Sequence, residues 1–130
     1  LNIALSPGQE QTATGLFTPL DLNSVRTRTK LVVLSGCSSS GGEVVPSIGI
    51  NGLSRAFLIA GASTVIATLW PTIDSDGPIF PVFYKNLIQR DWSPHTAADS
   101  LRAAQLQMIR EGGWTSKPSY WAAYLSISKG

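Results

Sequence analysis

Two short apolar runs dominate the hydrophobic pattern: KLVVLSG at residues 30–36 and STVIATLW at residues 63–70. Both are rich in β-branched residues. Their apolar positions are continuous rather than alternating, which predicts strands buried on both faces. Between them, SIGINGLSRAFLIAGA (47–62) places Ile50, Leu53, Phe57 and Ala60 on one helical stripe, with Gly61 positioned to end the helix. Residues 75–91 predict a second helix whose prolines, Pro78 and Pro81, fall in the first turns, where they are tolerated. Ser93 then caps a third helix with Pro94 at its first position. Ala97, Leu101, Ala104 and Met108 line its inner face, and Gly112 and Gly113 terminate it. SYWAAYLSIS (119–128) is aromatic and β-branched, as a third strand would be. Upstream, residues 1–17 read as a loop or extended arm, and TPLDLNSV (18–25) as one short helix opened by Thr18 and Pro19.

Strand, helix, strand, two helices, strand is the alternation of an α/β fold, and it predicts a mostly parallel sheet. Three strands are few for so apolar a chain, so a partner segment is expected to complete the sheet. The composition agrees. The 130 residues are one domain's worth, 43% hydrophobic and only 14% charged, so much of the surface must be buried or face a partner. The net charge is +2, and RTRTK (26–30) is the nearest thing to a basic cluster, which argues against a nucleic-acid surface. No apolar run reaches the roughly 18–20 residues of a membrane span. The first residues lack the basic start and long apolar stretch of a signal peptide. The chain opens on Leu1 rather than methionine, as a processed or excised piece would. A single cysteine excludes an internal disulfide and fits a reducing compartment, so a cytoplasmic location is expected.

That cysteine, Cys37, is the candidate for chemistry. Free cysteines are most often small buried hydrophobes. Three features argue for more. Cys37 falls at the carboxyl end of a predicted parallel strand, the edge where open α/β sheets hold ligands. Gly36 and residues 38–42 are small enough for a backbone to approach. A loop of Ser and Gly also leaves main-chain N–H groups able to hold an oxyanion. Competing chemistries fail on spacing. The position six residues on, where a phosphatase loop needs arginine, is Glu43. No lysine between Lys30 and Lys85 serves a Walker loop, and Ser35 and Ser39 stand where a hydrolase elbow needs glycines. One Cys and one His do not make a metal site. A thiol nucleophile needs a base. The only histidine, His95, sits just inside a helix N-terminus, where the macrodipole disfavours the imidazolium. The chain therefore reads as half an active site.

LVVLSGC, GLSRAFLIAGASTVIATLWPTID, FYKNL, AADSLRAAQLQMI and SYWAAYLSIS together, in this order, resemble the C-terminal part of the CHAT domain, a family of caspase-like cysteine peptidases. The resemblance spans roughly residues 16–128, within one domain over 1–130. It implies a caspase-like three-layer α/β sandwich with a mostly parallel sheet, incomplete in this chain. It places Cys37 on the catalytic cysteine, whose backbone N–H is one oxyanion donor. The family's catalytic histidine belongs to a His-Gly pair on a preceding strand, which would lie N-terminal to Leu1. By the same resemblance, Ser35 and Gly36 fall in the substrate pocket, with Ser35 at its floor, and Trp70 to Asp76 form a wall. Asp74 there would favour a basic side chain before the cut bond; the alternative is that Asp74, like Asp76, only opens the helix at Pro78, where acids suit capping and the dipole. Two departures stand out: the family's Ala-Cys-Glu-Thr is Gly36-Cys37-Ser38-Ser39 here, and its acidic pair is Ile73-Asp74. Retention of the cysteine favours a working endopeptidase in the longer protein. The resemblance requires no cofactor. It implies a protein or peptide substrate, an N-terminal part of the same protein carrying the histidine, and regulatory repeat or sensor modules. The alternative is a non-catalytic caspase-like regulatory or peptide-binding domain. A weaker one is a small-ligand module holding an anion at residues 38–42.

Overall fold

A computed structural model describes residues 3–4, 16–17, 21–34, 50–70 and 79–129. Two short strands, β1 (Ile3–Ala4) and β2 (Leu16–Phe17), pair antiparallel. A 3-10 turn over Asp21–Ser24 leads to β3 (Leu31–Leu34), followed by α1 (Ile50–Ala60) and β4 (Thr64–Thr68). Next come α2 (Ile79–Ile88), α3 (Pro94–Glu111), a second 3-10 turn (Gly113–Ser116), the one-turn helix α4 (Pro118–Trp121) and β5 (Tyr124–Ser128). The main sheet has the order β3-β4-β5.

β3 and β4 run parallel, with Leu31 opposite Thr64 and Leu34 opposite Ala67. All five residues of β4 are buried. Because side chains alternate along a strand, β4 serves two cores. Ile66 joins Ile79, Phe83, Leu101, Ala104, Met108 and Tyr124, with Leu31 and Val33 packed alongside. Val65 and Ala67 join Leu34, Leu53, Ala56 and Ala60. So α2 and α3 cover one face and α1 the other.

The helix boundaries have local causes. Ser93 and Thr96 form a reciprocal capping box: the Thr96 N–H donates to Ser93 Oγ at 3.0 Å and the Ser93 N–H to Thr96 Oγ1 at 2.8 Å. All four residues expected on the inner face of α3 are buried. Gly61 ends α1 at φ 119°, and any Cβ there would run into the Thr27 carbonyl oxygen. The backbone is laced at that point, with the Thr27 N–H donating to Ala60 O at 2.8 Å.

The expectation of a mostly parallel sheet does not hold for the described strands, because β5 enters antiparallel to β4, with Thr68 opposite Tyr124 and Thr64 opposite Ser128. The reason lies in the connection. One helix between strands restores the direction, as α1 does. Two helices packed against each other carry the chain away and back again, so β5 starts at the carboxyl edge of β4. The strand expected over 119–128 is also shorter, because α4 takes its first residues. Pro118 suits the first helical position, and indole N–H groups pin the turn: Trp121 to Ser116 O at 3.1 Å and Trp70 to Ser119 O at 2.8 Å. The helix expected at 18–25 is the 3-10 turn Asp21–Ser24, with residues 18–20 outside the described part.

Candidate functional site

Parallel pairing brings the carboxyl ends of β3 and β4 to the same edge of the sheet, and the Leu34–Ala67 register aligns them. Two sequence-predicted positions follow from this edge. Cys37 comes three residues after Leu34, the last residue of β3, and Trp70 two residues after Thr68, the last of β4. Cys37, Ser35, Gly36 and Asp74, with the serine/glycine stretch 38–42, lie outside the described residues.

Trp70 is part of the described structure. Its indole keeps 38% exposure, and its N–H is committed to the Ser119 carbonyl on α4. That bond orients the ring as an aromatic plate at the carboxyl edge whose donor is already used. Sequence reading did not find Ser119, because a backbone acceptor leaves no residue-type signal.

Thr68 was also missed. It is the last residue of β4, 1% exposed, and its hydroxyl has no hydrogen-bond partner among the described residues. A buried, unpaired hydroxyl costs roughly 1–3 kcal/mol. Its only sequence signal is a polar β-branched residue closing a buried strand, which is also the signature of an ordinary strand end. Behind it, Tyr124 packs edge-on to Phe80 with ring centroids 5.5 Å apart, and Gln105 Nε2 donates to the carbonyls of Trp121 and Tyr124, both at 2.9 Å. Together these fix the junction of α3, α4 and β5 beneath the edge.

His95 is the second residue of α3 and is exposed. It precedes Gln105, which sits at the carboxyl edge, by ten residues along the helix, about 15 Å at the α-helical rise. Because α3 runs back toward the carboxyl edge, its N-terminus faces the opposite, amino edge. His95 is thus carried away from the strand ends that lead into Cys37. Among the described residues, no three His, Cys, Asp or Glu side chains group as a metal site, and no helix is long and apolar enough to cross a membrane.

Tetratricopeptide repeat protein 28 of Mus musculus is 35% identical over 113 residues, and tetratricopeptide repeat protein 28 of Homo sapiens is 31% identical over 113 residues. Each alignment takes in 86% of this chain but 4% of the relative, so the chain spans a small part of these proteins. No solved structure matches it. The CHAT domain profile matches residues 2–129, and the chain belongs to the CHAT domain family.

Proposed function

We propose that this chain is the cysteine-bearing part of a caspase-like endopeptidase, with Cys37 as nucleophile. The observation that carries the reading is the parallel β3–β4 pair, whose carboxyl ends share the edge from which the chain continues to Cys37. In this reading the fold is a three-layer sandwich whose sheet is extended by strands from the preceding part of the protein. That part also supplies the catalytic histidine. The histidine takes the thiol proton, and the thiolate attacks the scissile carbonyl carbon while the Cys37 N–H stabilises the oxyanion. The C–N bond then breaks as the imidazolium returns the proton to the leaving amine. Water hydrolyses the resulting thioester and restores the thiol. No cofactor enters. A single thiol of this kind suits a reducing cytoplasm.

Substrate choice falls to Ser35, Gly36, Trp70 and Asp74. Ser35 is small and neutral. The Trp70 ring offers a face for a long aliphatic or guanidinium side chain. Asp74 adds charge preference for Arg or Lys. A peptide-library profile of the full-length protein should show a basic or long unbranched residue before the cut and no tolerance of Asp there. Asp74→Ala should erode the Arg/Lys preference. An unchanged preference in that variant removes Asp74 from the pocket.

The second reading is a caspase-like domain that binds without cutting. It is favoured by the relatives, whose names record tetratricopeptide repeats and no catalytic activity. Such repeats also fit the expected regulatory modules. Peptide cleavage by the full-length protein separates the two readings. Cys37→Ala should lower turnover by about 10³-fold or more, and His95→Ala should leave it nearly unchanged. The 130 residues alone should be inactive. Turnover by them alone, or a collapse in His95→Ala matching that in Cys37→Ala, would make His95 the base.

A further inference from the structure

The α1 side of the sheet is only partly covered. α1 packs on β3 and β4, and its core takes in Val32, Leu34, Val65 and Ala67. Leu125 and Ile127 of β5 stand opposite Ala67 and Val65 in the register, so they project on the same face, yet they belong to neither core cluster and keep partial exposure. On the same side of the sheet, Leu58 and the 56%-exposed Ile59 of α1 line an open groove of about 360 Å³ with Arg55 and Lys129. Lys129 continues the β5 ladder, its N–H donating to Ser63 O at 3.2 Å, so its position is fixed by backbone. The groove lies between α1 and the residue that follows β5, lined by two apolar and two cationic side chains.

The acids with described side chains are Asp91, Asp99 and Glu111, and all belong to α3 or the residues leading into it, on the opposite face. Asp99 already faces Arg90 at 3.9 Å. Neither Arg55 nor Lys129 has an ion-pair partner among the described residues.

We propose that this groove docks a partner protein through an acidic amphipathic helix laid along β5 beside α1. Its apolar stripe covers Leu125, Ile127, Leu58 and Ile59, while its flanking carboxylates reach Arg55 and Lys129. Five residues of strand run about 17 Å, the length of roughly three helical turns. Helix-in-groove docking uses this combination of apolar anchors and charged flanks. Charge disfavours the obvious alternative. A twofold contact between copies through this face would bring the Arg55 and Lys129 sets together, and like charges repel.

The test is fluorescence anisotropy with the full-length protein and a labelled helical peptide of about 18 residues, leucine on one face and glutamate on the other. A second peptide carries lysine for glutamate. Vesicles of phosphatidylserine and duplex DNA serve as alternative anionic probes. The Glu peptide should bind saturably and more weakly as salt rises. Arg55→Glu with Lys129→Glu, and separately Ile59→Asp, should each weaken it about tenfold or more. Ile88→Asp, on the outer side of α2 at 80% exposure, should leave it unchanged. Circular dichroism checks that the variants fold, and all substituted side chains are exposed. Absence of saturable binding, equal binding of the Lys peptide, or indifference to the groove variants overturns the proposal. So does groove-dependent retention on vesicles or DNA in preference to the peptide, or an Ile59-dependent dimer that excludes it.

Discussion

β4 is buried along its whole length, whereas three of the four residues of β3 keep partial exposure. The two strands are similar in composition, pair with each other in register, and contribute to the same two cores. What differs is their neighbours. β4 is hydrogen-bonded on both sides; β3, among the described residues, only on the side of β4. Burial here follows position in the sheet more than residue type. Of this pair, the strand that leads into Cys37 is the one with an open edge among the described residues, and an open apolar edge is where a further strand adds. The proposed reaction needs such an addition, because the strand supplying the histidine must lie near the carboxyl end of β3.

Substitution sharpens the contrast. Ile66→Ala, in the fully buried centre, should destabilise the domain by about 2–5 kcal/mol in denaturant unfolding. Val33→Ala, its register partner on β3, should cost about 1 kcal/mol in the 130-residue chain, because its side chain is only half-buried. In the full-length protein the Val33 penalty should grow toward the value for a buried valine. Equal penalties in both contexts would mean that nothing covers the edge.

A smaller effect is expected at Thr68. Its buried hydroxyl has no partner among the described residues, so Thr68→Val should be neutral or stabilising by up to about 1 kcal/mol in the 130-residue chain. Thr64, whose hydroxyl lies 3.2 Å from Ser128 Oγ, provides the internal contrast: Thr64→Val removes a hydrogen bond and should be destabilising. If Thr68→Val is destabilising in the full-length protein, the preceding part of the chain supplies that hydroxyl's partner. A loss in the 130-residue chain itself would contradict the orphaned state.

How much of this was legible in the sequence varies by element. α3 was readable nearly residue by residue, because Ser93, Pro94 and the Ala97-Leu101-Ala104-Met108 stripe each act locally. The end of α1 was readable from Gly61 for the same reason. The direction of β5 was not, since hydrophobic period carries no strand polarity. It follows from the pairing of α2 with α3. α4 was hidden because Tyr120 and Trp121 suit a strand by type, while one indole hydrogen bond to a nearby carbonyl and one from the distant Trp70 hold them in a helical turn. At the candidate site, the strand leading toward Cys37 and the placement of His95 in the first turn of a helix could be argued from pattern. The roles of Ser35, Gly36 and Asp74 came from family resemblance alone. Thr68 gave no usable signal, because an unsatisfied hydroxyl is a property of its surroundings.

The central claim is that Cys37 is an activated thiol in the complete protein, and its alkylation rate tests this most directly. Full-length protein is treated with iodoacetamide across pH, and adduct formation at Cys37 is followed by mass spectrometry. An activated cysteine has its thiolate stabilised by a neighbouring base, so its reaction should persist well below the ordinary thiol range near pH 8.5. The same measurement on the 130-residue chain should show the ordinary profile. A Cys37 in the full-length protein that reacts only as an ordinary thiol, with the same pH profile as in the 130-residue chain, would contradict the assignment of Cys37 as nucleophile.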